Sequence, residues 1–160
     1  MTNVRPSWDE YFLEIMDAVA KRSTCDRGRP SCVIAKDKRI LSTGYGGSPV
    51  GLSHCDDAGH ELHTVIDAEG NKTEHCIRTV HAELNAIVHA AKFGIPLSGA
   101  TLYCNMTPCY TCAKTIINAG IVRVVAKMDY QKGQRSRAVF SEAGIEFEVV
   151  NAKVQPYGDQ

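Results

Sequence analysis

Apolar residues at Trp8, Phe12, Ile15, Met16 and Val19 recur at the spacing of one helical face, and Ser7 with Glu10 forms the S-x-x-E box that opens a helix. Two short apolar runs follow, CVIA (32–35) and ILSTGY (40–45), parted by the charged turn Lys36-Asp37-Lys38-Arg39, and they predict a β-hairpin. TLYCN (101–105), VRVVA (122–126) and IEFEVV (145–150) predict three further strands. Helical patterns lie between them: Thr79 to Lys92 stopped by Gly94, Pro108 to Ala119 stopped by Gly120, and about Gln134 to Ala143 stopped by Gly144. The predicted order is α-β-β-α-β-α-β-α-β. Strands alternating with helices in the second half imply right-handed crossovers and parallel pairing, whereas the first pair can be antiparallel. The expectation is an α/β fold: a three-layer α/β/α sandwich around a five-stranded mixed sheet.

One stretch breaks the rhythm. Residues at about 51–77 are polar, without a clear pattern, and carry His54, His60, His63 and His75 with Cys55 and Cys76. So long a loop without secondary structure needs a reason. No repeat or linker divides the 160 residues, which suit one domain, 1–160, with this Cys/His-rich insert.

Composition narrows the classes of function. Eighteen Lys and Arg balance eighteen Asp and Glu, which argues against a basic polynucleotide-coating surface. Asp9, Glu10, Glu14 and Asp17 interrupt the N-terminal stretch where an export signal needs an uncharged apolar run, and no stretch approaches the roughly 20 apolar residues of a membrane helix. The expectation is a cytoplasmic protein that does not engage a membrane. Its seven cysteines, odd in number, are then metal ligands or reactive groups in preference to disulfides.

The chemistry gathers at two helix starts. One opens with His81-Ala82-Glu83; the other opens with Thr107-Pro108-Cys109-Tyr110-Thr111-Cys112, in which Thr107 is a natural N-cap and proline suits the first helical position. Cys109 and Cys112, three residues apart, share a helical face and can reach one ion. His81 is the third ligand, because both helix starts follow strands and converge on one edge of the sheet. Three protein ligands leave zinc an open position, which lowers the pKa of bound water from about 15.7 to about 7. Glu83, about 200° round the helix from His81, is not a fourth ligand, but it can pass the water's proton to a ring nitrogen and then to a leaving amine. H-x-E followed by P-C-x-x-C is the pattern of zinc nucleobase deaminases.

On these residues the chain resembles the cytidine/deoxycytidylate deaminase superfamily, and within it the deoxycytidylate (dCMP) deaminases. The matching stretches are KRSTCDRGRPSCVIAKD (21–37), STGYGGSPVG (42–51), HCDDAGH (54–60), HCIRTVHAELNAI (75–87) and TPCYTCAKTIINAGIVRVV (107–125). The resemblance implies hydrolysis of dCMP to dUMP with release of ammonia, on the route to thymidylate. It implies His81, Cys109 and Cys112 as zinc ligands and Glu83 as proton shuttle. It also implies a homo-oligomer, often a hexamer, with dCTP as activator and dTTP as inhibitor. The Cys/His-rich insert resembles one that carries a second, structural zinc in many relatives; the ligand choice here is Cys25, Cys55, His60 and Cys76, with His75 as the substitute.

Substrate contacts are expected from Tyr130 stacking on the pyrimidine, from Ala82 beside it, and from Arg27 toward the phosphate, with Arg29 and Arg78 as further cations. Asn85 is a pocket residue or a helix-surface residue. Two stretches depart from the family pattern: Gly46 stands where an Asn is usual in G-Y-N-G-x-P, and Arg29-Pro30-Ser31-Cys32 replaces the usual approach to the first core strand. Both bear on nucleotide recognition and regulation and leave the zinc chemistry intact. The alternatives are a deaminase of another cytosine nucleotide or of tRNA adenosine, and a zinc-stabilised binding module without catalysis.

Overall fold

The structure is a computed structural model and describes residues 4–66 and 69–155, with side chains through Ala152. Helix α1 (Trp8–Ala20) begins at the expected box: the Ser7 hydroxyl accepts from the Glu10 amide at 3.2 Å, and the Glu10 carboxylate accepts from the Ser7 amide at 2.7 Å. Its buried face is Phe12, Leu13 and Met16, while Trp8 at the outer end stays half exposed over the hairpin turn. Strands β1 (Ser31–Lys36) and β2 (Arg39–Tyr45) pair antiparallel. Asp37 and Lys38 both take positive φ (50° and 63°), the tight two-residue turn whose twist suits a hairpin.

The second half builds β5 (Thr101–Met106), α4 (Tyr110–Asn118), β6 (Arg123–Tyr130), α5 (Gln134–Glu142) and β7 (Glu146–Gln155). With α3 (Ala82–Lys92), each of these helices stops just before a glycine of positive φ, as read from Gly94, Gly120 and Gly144. The sheet runs β2-β1-β5-β6-β7, antiparallel where β1 meets β2 and β5 and parallel from β5 to β7. It is the expected five-stranded mixed sheet. Alternation along β1 shows why it is apolar throughout: Val33 and Ala35 pack under α1 with Phe12 and Met16, and Cys32 and Ile34 pack on the other face with α3 and α4. Cys32 and Cys104 are fully buried in that second layer, where they pack as small hydrophobes and not as metal ligands.

Residues 51–77 correct the sequence reading. Instead of a structureless loop they hold the single turn α2 (Cys55–Ala58) and an antiparallel hairpin of β3 (Leu62–Ile66) and β4 (Lys72–Cys76). The hairpin stands clear of the main sheet and β3 is exposed at every position. With no buried face to select apolar residues, its sequence carries no alternation to read. The helix starts also differ. Predicted helices at Thr79 and Pro108 begin at Ala82 and Tyr110, so Thr107 is not an N-cap and Pro108 lies before the helix. Among the described residues no helix is long and apolar enough to cross a membrane.

Candidate metal centres and cleft

The shifted helix starts put two chemically active side chains at N-cap positions. His81 (φ −63°, ψ 149°) caps α3 and Cys109 (φ −66°, ψ 164°) caps α4 without a side-chain capping bond at either, the Cys109 thiol turning to Cys112 and His81 instead. Imidazole and thiol are therefore free to face each other, at the positive ends of two helix dipoles. The His81 Nδ1 lies 3.5 Å from Cys109 Sγ and 3.4 Å from Cys112 Sγ. Zinc bonds of about 2.3 Å to sulfur and about 2.05 Å to nitrogen, set at a tetrahedral angle, place S and N about 3.5 Å apart. The three groups fit one zinc ion and leave its fourth position to another ligand.

Their electrostatics match. Hydrogen bonding with Cys112, then with His81, holds the Cys109 thiol down at about 4, whereas Cys112 is pushed far up because one proton serves the pair. The hydrogen bond to Cys109 lifts His81 to about 9. A dication would displace those remaining protons. Glu83 reaches in from the first turn of α3, with Oε2 3.7 Å from Cys112 Sγ, and lies outside the three converging donors. Burial pushes its carboxyl up, against the pull of His81.

A second cluster lies where the insert meets the α1–β1 loop. Cys25, Cys55, His60 and Cys76 turn their donor atoms to one point. Cys25 Sγ stands 3.7 Å from His60 Nδ1, and Cys55 Sγ 3.6 Å from Cys76 Sγ, close to the S···S separation of about 3.8 Å of a tetrahedral zinc site. Burial lifts Cys55 to about 12; Cys76 is brought down to about 6, burial being outweighed by the amides of Glu61 and Arg78 and by His60. His60 Nε2 meets the Asp26 carboxylate at 2.9 Å, which leaves Nδ1 for the cluster. His75 is not in this group: its Nε2 meets the Thr73 hydroxyl at 3.2 Å, and the ring lines the cleft.

The cleft runs from the first cluster toward the second. Tyr130 lines it together with His75 and Arg27, whose guanidinium donates to the Glu74 carbonyl at 3.1 Å. Tyr130 closes β6 and is nearly buried. Lys132 reaches across to the Thr73 hydroxyl at 3.2 Å. Ala82 is buried in the core beneath Gly44 and is not part of the lining. Arg29 and Arg78 also lie outside the lining; Arg78 holds the Gly59 carbonyl at 2.9 Å. Asn85 braces the backbone, donating to the Tyr45 carbonyl at 2.8 Å.

The structure adds Asn105 to the residues read from sequence. Its Oδ1 accepts from the Ser31 amide and its Nδ2 donates to the Gly28 carbonyl, both at 3.1 Å, clamping the loop before β1 beside the cleft. The signal was a lone amide at the end of an apolar strand. The two departures noted in the sequence also touch: a Cβ on Gly46 would lie 2.5 Å from Cγ of Pro30, a lining residue, and the Gly46 amide donates to the Pro30 carbonyl at 2.8 Å.

Residues 6–128 match the model of the cytidine and deoxycytidylate deaminase zinc-binding region. The chain is 41% identical over 146 residues to ComE operon protein 2 of Bacillus subtilis, covering 91% of this chain and 72% of that one. It is 41% identical over 123 residues to the deoxycytidylate deaminase of Mycobacterium phage D29, 76% of this chain and 94% of that protein. It spans only 44% of the length of the deoxycytidylate deaminases of two yeasts. Among solved structures, the dCMP deaminase of cyanophage S-TIM5 in complex with dCMP and dUMP superposes with a TM-score of 0.73 at 26% identity, covering 94% of this chain and 100% of the other.

Proposed function

The chain belongs to the cytidine and deoxycytidylate deaminase family, and from that premise we propose that it is a zinc-dependent hydrolase converting dCMP to dUMP and ammonia. The observation that carries the reading is the convergence of His81, Cys109 and Cys112 with Glu83 beside them, at the base of a cleft. Zinc held by those three ligands supplies Lewis-acid activation of water at neutral pH. Glu83 would take one proton of the water as its oxygen attacks C4 and deliver it to N3. It would then take the second proton from the C4 hydroxyl so formed and pass it to the amino group, which leaves as ammonia while the C4 carbonyl forms. Its burial suits the task, since a carboxyl whose affinity for protons is raised above the ordinary value is a better proton acceptor than a solvated one.

Tyr130 faces the base from one wall, and Arg27 and Lys132 supply positive charge toward the 5′-phosphate, while burial and those cations hold His75 below its ordinary pKa as a neutral hydrogen-bonding ring. The named ligand of the cyanophage relative and the names of the phage and yeast relatives favour the deoxynucleoside monophosphate. The four-ligand cluster is read as a structural zinc site: it ties the hairpin that carries His75 to the loop that carries Arg27. A cytoplasmic homo-oligomer, hexameric as the resemblance implies, and response to dCTP and dTTP complete the reading.

The test is ammonia release across dCMP, dCTP, CMP, deoxycytidine and a tRNA anticodon stem, with and without added dCTP and dTTP. The expected result is dCMP turned over with kcat/KM at least about tenfold above each other substrate, one pairing discriminated by about 1.4 kcal/mol. Release from another substrate and none from dCMP would replace the assignment.

A further inference from the structure

Along β6 the side chains alternate between the two faces of the sheet. Arg123 meets Asp9 of α1, Val125 packs under α1 and Lys127 meets Asp17 of α1, whereas Val124 and Ala126 face the opposite layer. By that alternation Asp129 belongs on the α1 face. It is instead paired with Arg137 of α5, in the opposite layer, and the register with β7 shifts between Met128 and Asp129. The residues that the shift leaves unpaired lie on β7, whose partners jump from Asn151 to Val154, beside the turn into which β6 runs.

Asp129 Oδ1 meets three donors. The Thr107 hydroxyl donates at 2.8 Å and the Tyr130 amide at 2.7 Å, with the Arg137 guanidinium as the third. Thr107 is almost fully buried, lines the cleft and precedes Cys109 by two residues; its methyl would lie 2.7 Å from a Cβ at Gly133, so the next loop presses it into place. Tyr130 is the cleft's aromatic wall. One carboxylate oxygen thus ties the turn that presents a metal ligand to the strand end that presents the ring.

We propose that Asp129 is a positioning residue of this cleft: through Thr107 it sets the turn carrying Cys109, and through the Tyr130 amide it sets the aromatic wall. It touches no reacting atom. The kinetic side of this proposal rests on the deaminase reading; the metal-retention side does not.

The experiment uses zinc-loaded full chain and the variants Asp129→Ala, Asp129→Asn, Thr107→Val and the double Asp129→Ala/Thr107→Val. It measures kcat and KM for dCMP, and the rates at which a chromogenic chelator removes zinc, the phase of the three-ligand centre being the one missing in Cys112→Ala. Asp129→Ala should lower kcat/KM about 10–100-fold and speed zinc loss from that centre by a similar factor, the scale on which metal-site supports act, while loss from the four-ligand centre moves less than about twofold. Asp129→Asn, which keeps the acceptor for Thr107 and Tyr130, should stay within about threefold of wild type. The double variant should be no worse than Asp129→Ala alone, because both changes break one connection. Wild-type zinc loss in Asp129→Ala, additive effects in the double variant, or equal damage from Asp129→Asn overturns the proposal. Should Asp129→Ala fail to fold, impaired Thr107→Val beside retained Asp129→Asn supports it and any other pattern overturns it. Absence of dCMP turnover in the wild type sinks the deaminase reading alone, since the chelator rates still judge Asp129.

Discussion

Replacing Glu83 by Gln isolates the proton relay from everything else in the site. The two side chains share shape and volume, so the buried space under α3 stays filled. Glu83 is 8% exposed, and the other carboxylate in the cleft lining, Glu74, stands exposed at the mouth, so no neighbour can take over its proton traffic. The full acid–base contribution of about 10²–10⁴ should therefore vanish. At about 1.36 kcal/mol per decade that is about 2.7–5.4 kcal/mol of lost transition-state stabilisation, with kcat down about 10³-fold at the centre of the range. Stability should move the other way. Burial raises the folded carboxyl's pKa, so above the unfolded value the charge costs stability, and the neutral amide removes that cost in the zinc-free protein. Zinc per chain should not change, because Glu83 is not one of the converging donors. The assays are ammonia release from dCMP, zinc by chromogenic chelator, and thermal unfolding. Turnover within about tenfold of wild type, at normal zinc content, would refute the relay.

Cys76→Ser removes one donor of the second cluster and should lower bound zinc from about two to about one per chain and reduce Tm, read by chelator titration and thermal unfolding; a wild type holding about one zinc would discard that centre. Gly44→Ala would put a methyl 2.1 Å from the Ala82 carbonyl and 2.6 Å from the Ala86 amide, pushing α3 and His81 off β2. Overpacking of this kind costs about 1–3 kcal/mol and a displaced site about 10²-fold in rate; unchanged urea denaturation and unchanged kinetics would contradict the packing described here. Asp9 is held below its ordinary pKa, chiefly by hydrogen bonding to Arg123, so its contribution is present above about pH 4 and drains away as pH falls through the lowered value. Asp9→Asn should then be less stable than wild type at about pH 6, with the gap closing as pH falls below about 4; a gap that stays constant in urea titrations would remove Arg123–Asp9 as its cause.

Periodicity made the scaffold legible wherever a face is buried. The α1 stripe, the apolar run of β1 and the glycine stops each answer to the core, and each stands where the sequence placed it. The His81, Cys109 and Cys112 group was legible for a different reason: zinc needs donors of fixed type, and C-x-x-C supplies two of them at helical spacing. The β3–β4 hairpin escaped because an exposed strand has no burial to record itself in sequence. Helix starts were misplaced because Pro108 signals a first helical position, while His81 and Cys109 keep extended backbone and delay the helices to Ala82 and Tyr110. Asp129 was hidden because period-two reading assigns it to the α1 face, whereas it pairs with Arg137 of the opposite layer. Asn105 was hidden by its partners, which are backbone groups of a distant loop.

The contact between Gly46 and Pro30 fixes an order of events for any change at this wall. Because the proline ring occupies the space a side chain at 46 would fill, introducing an asparagine there first meets a clash, and only a chain that has already given up Pro30 can accept it. The two sites form an epistatic pair with one open route through sequence space. Engineering that places an asparagine at 46 must therefore exchange both residues together, and Gly46→Asn alone reports on the clash with Pro30 instead of on ligand recognition.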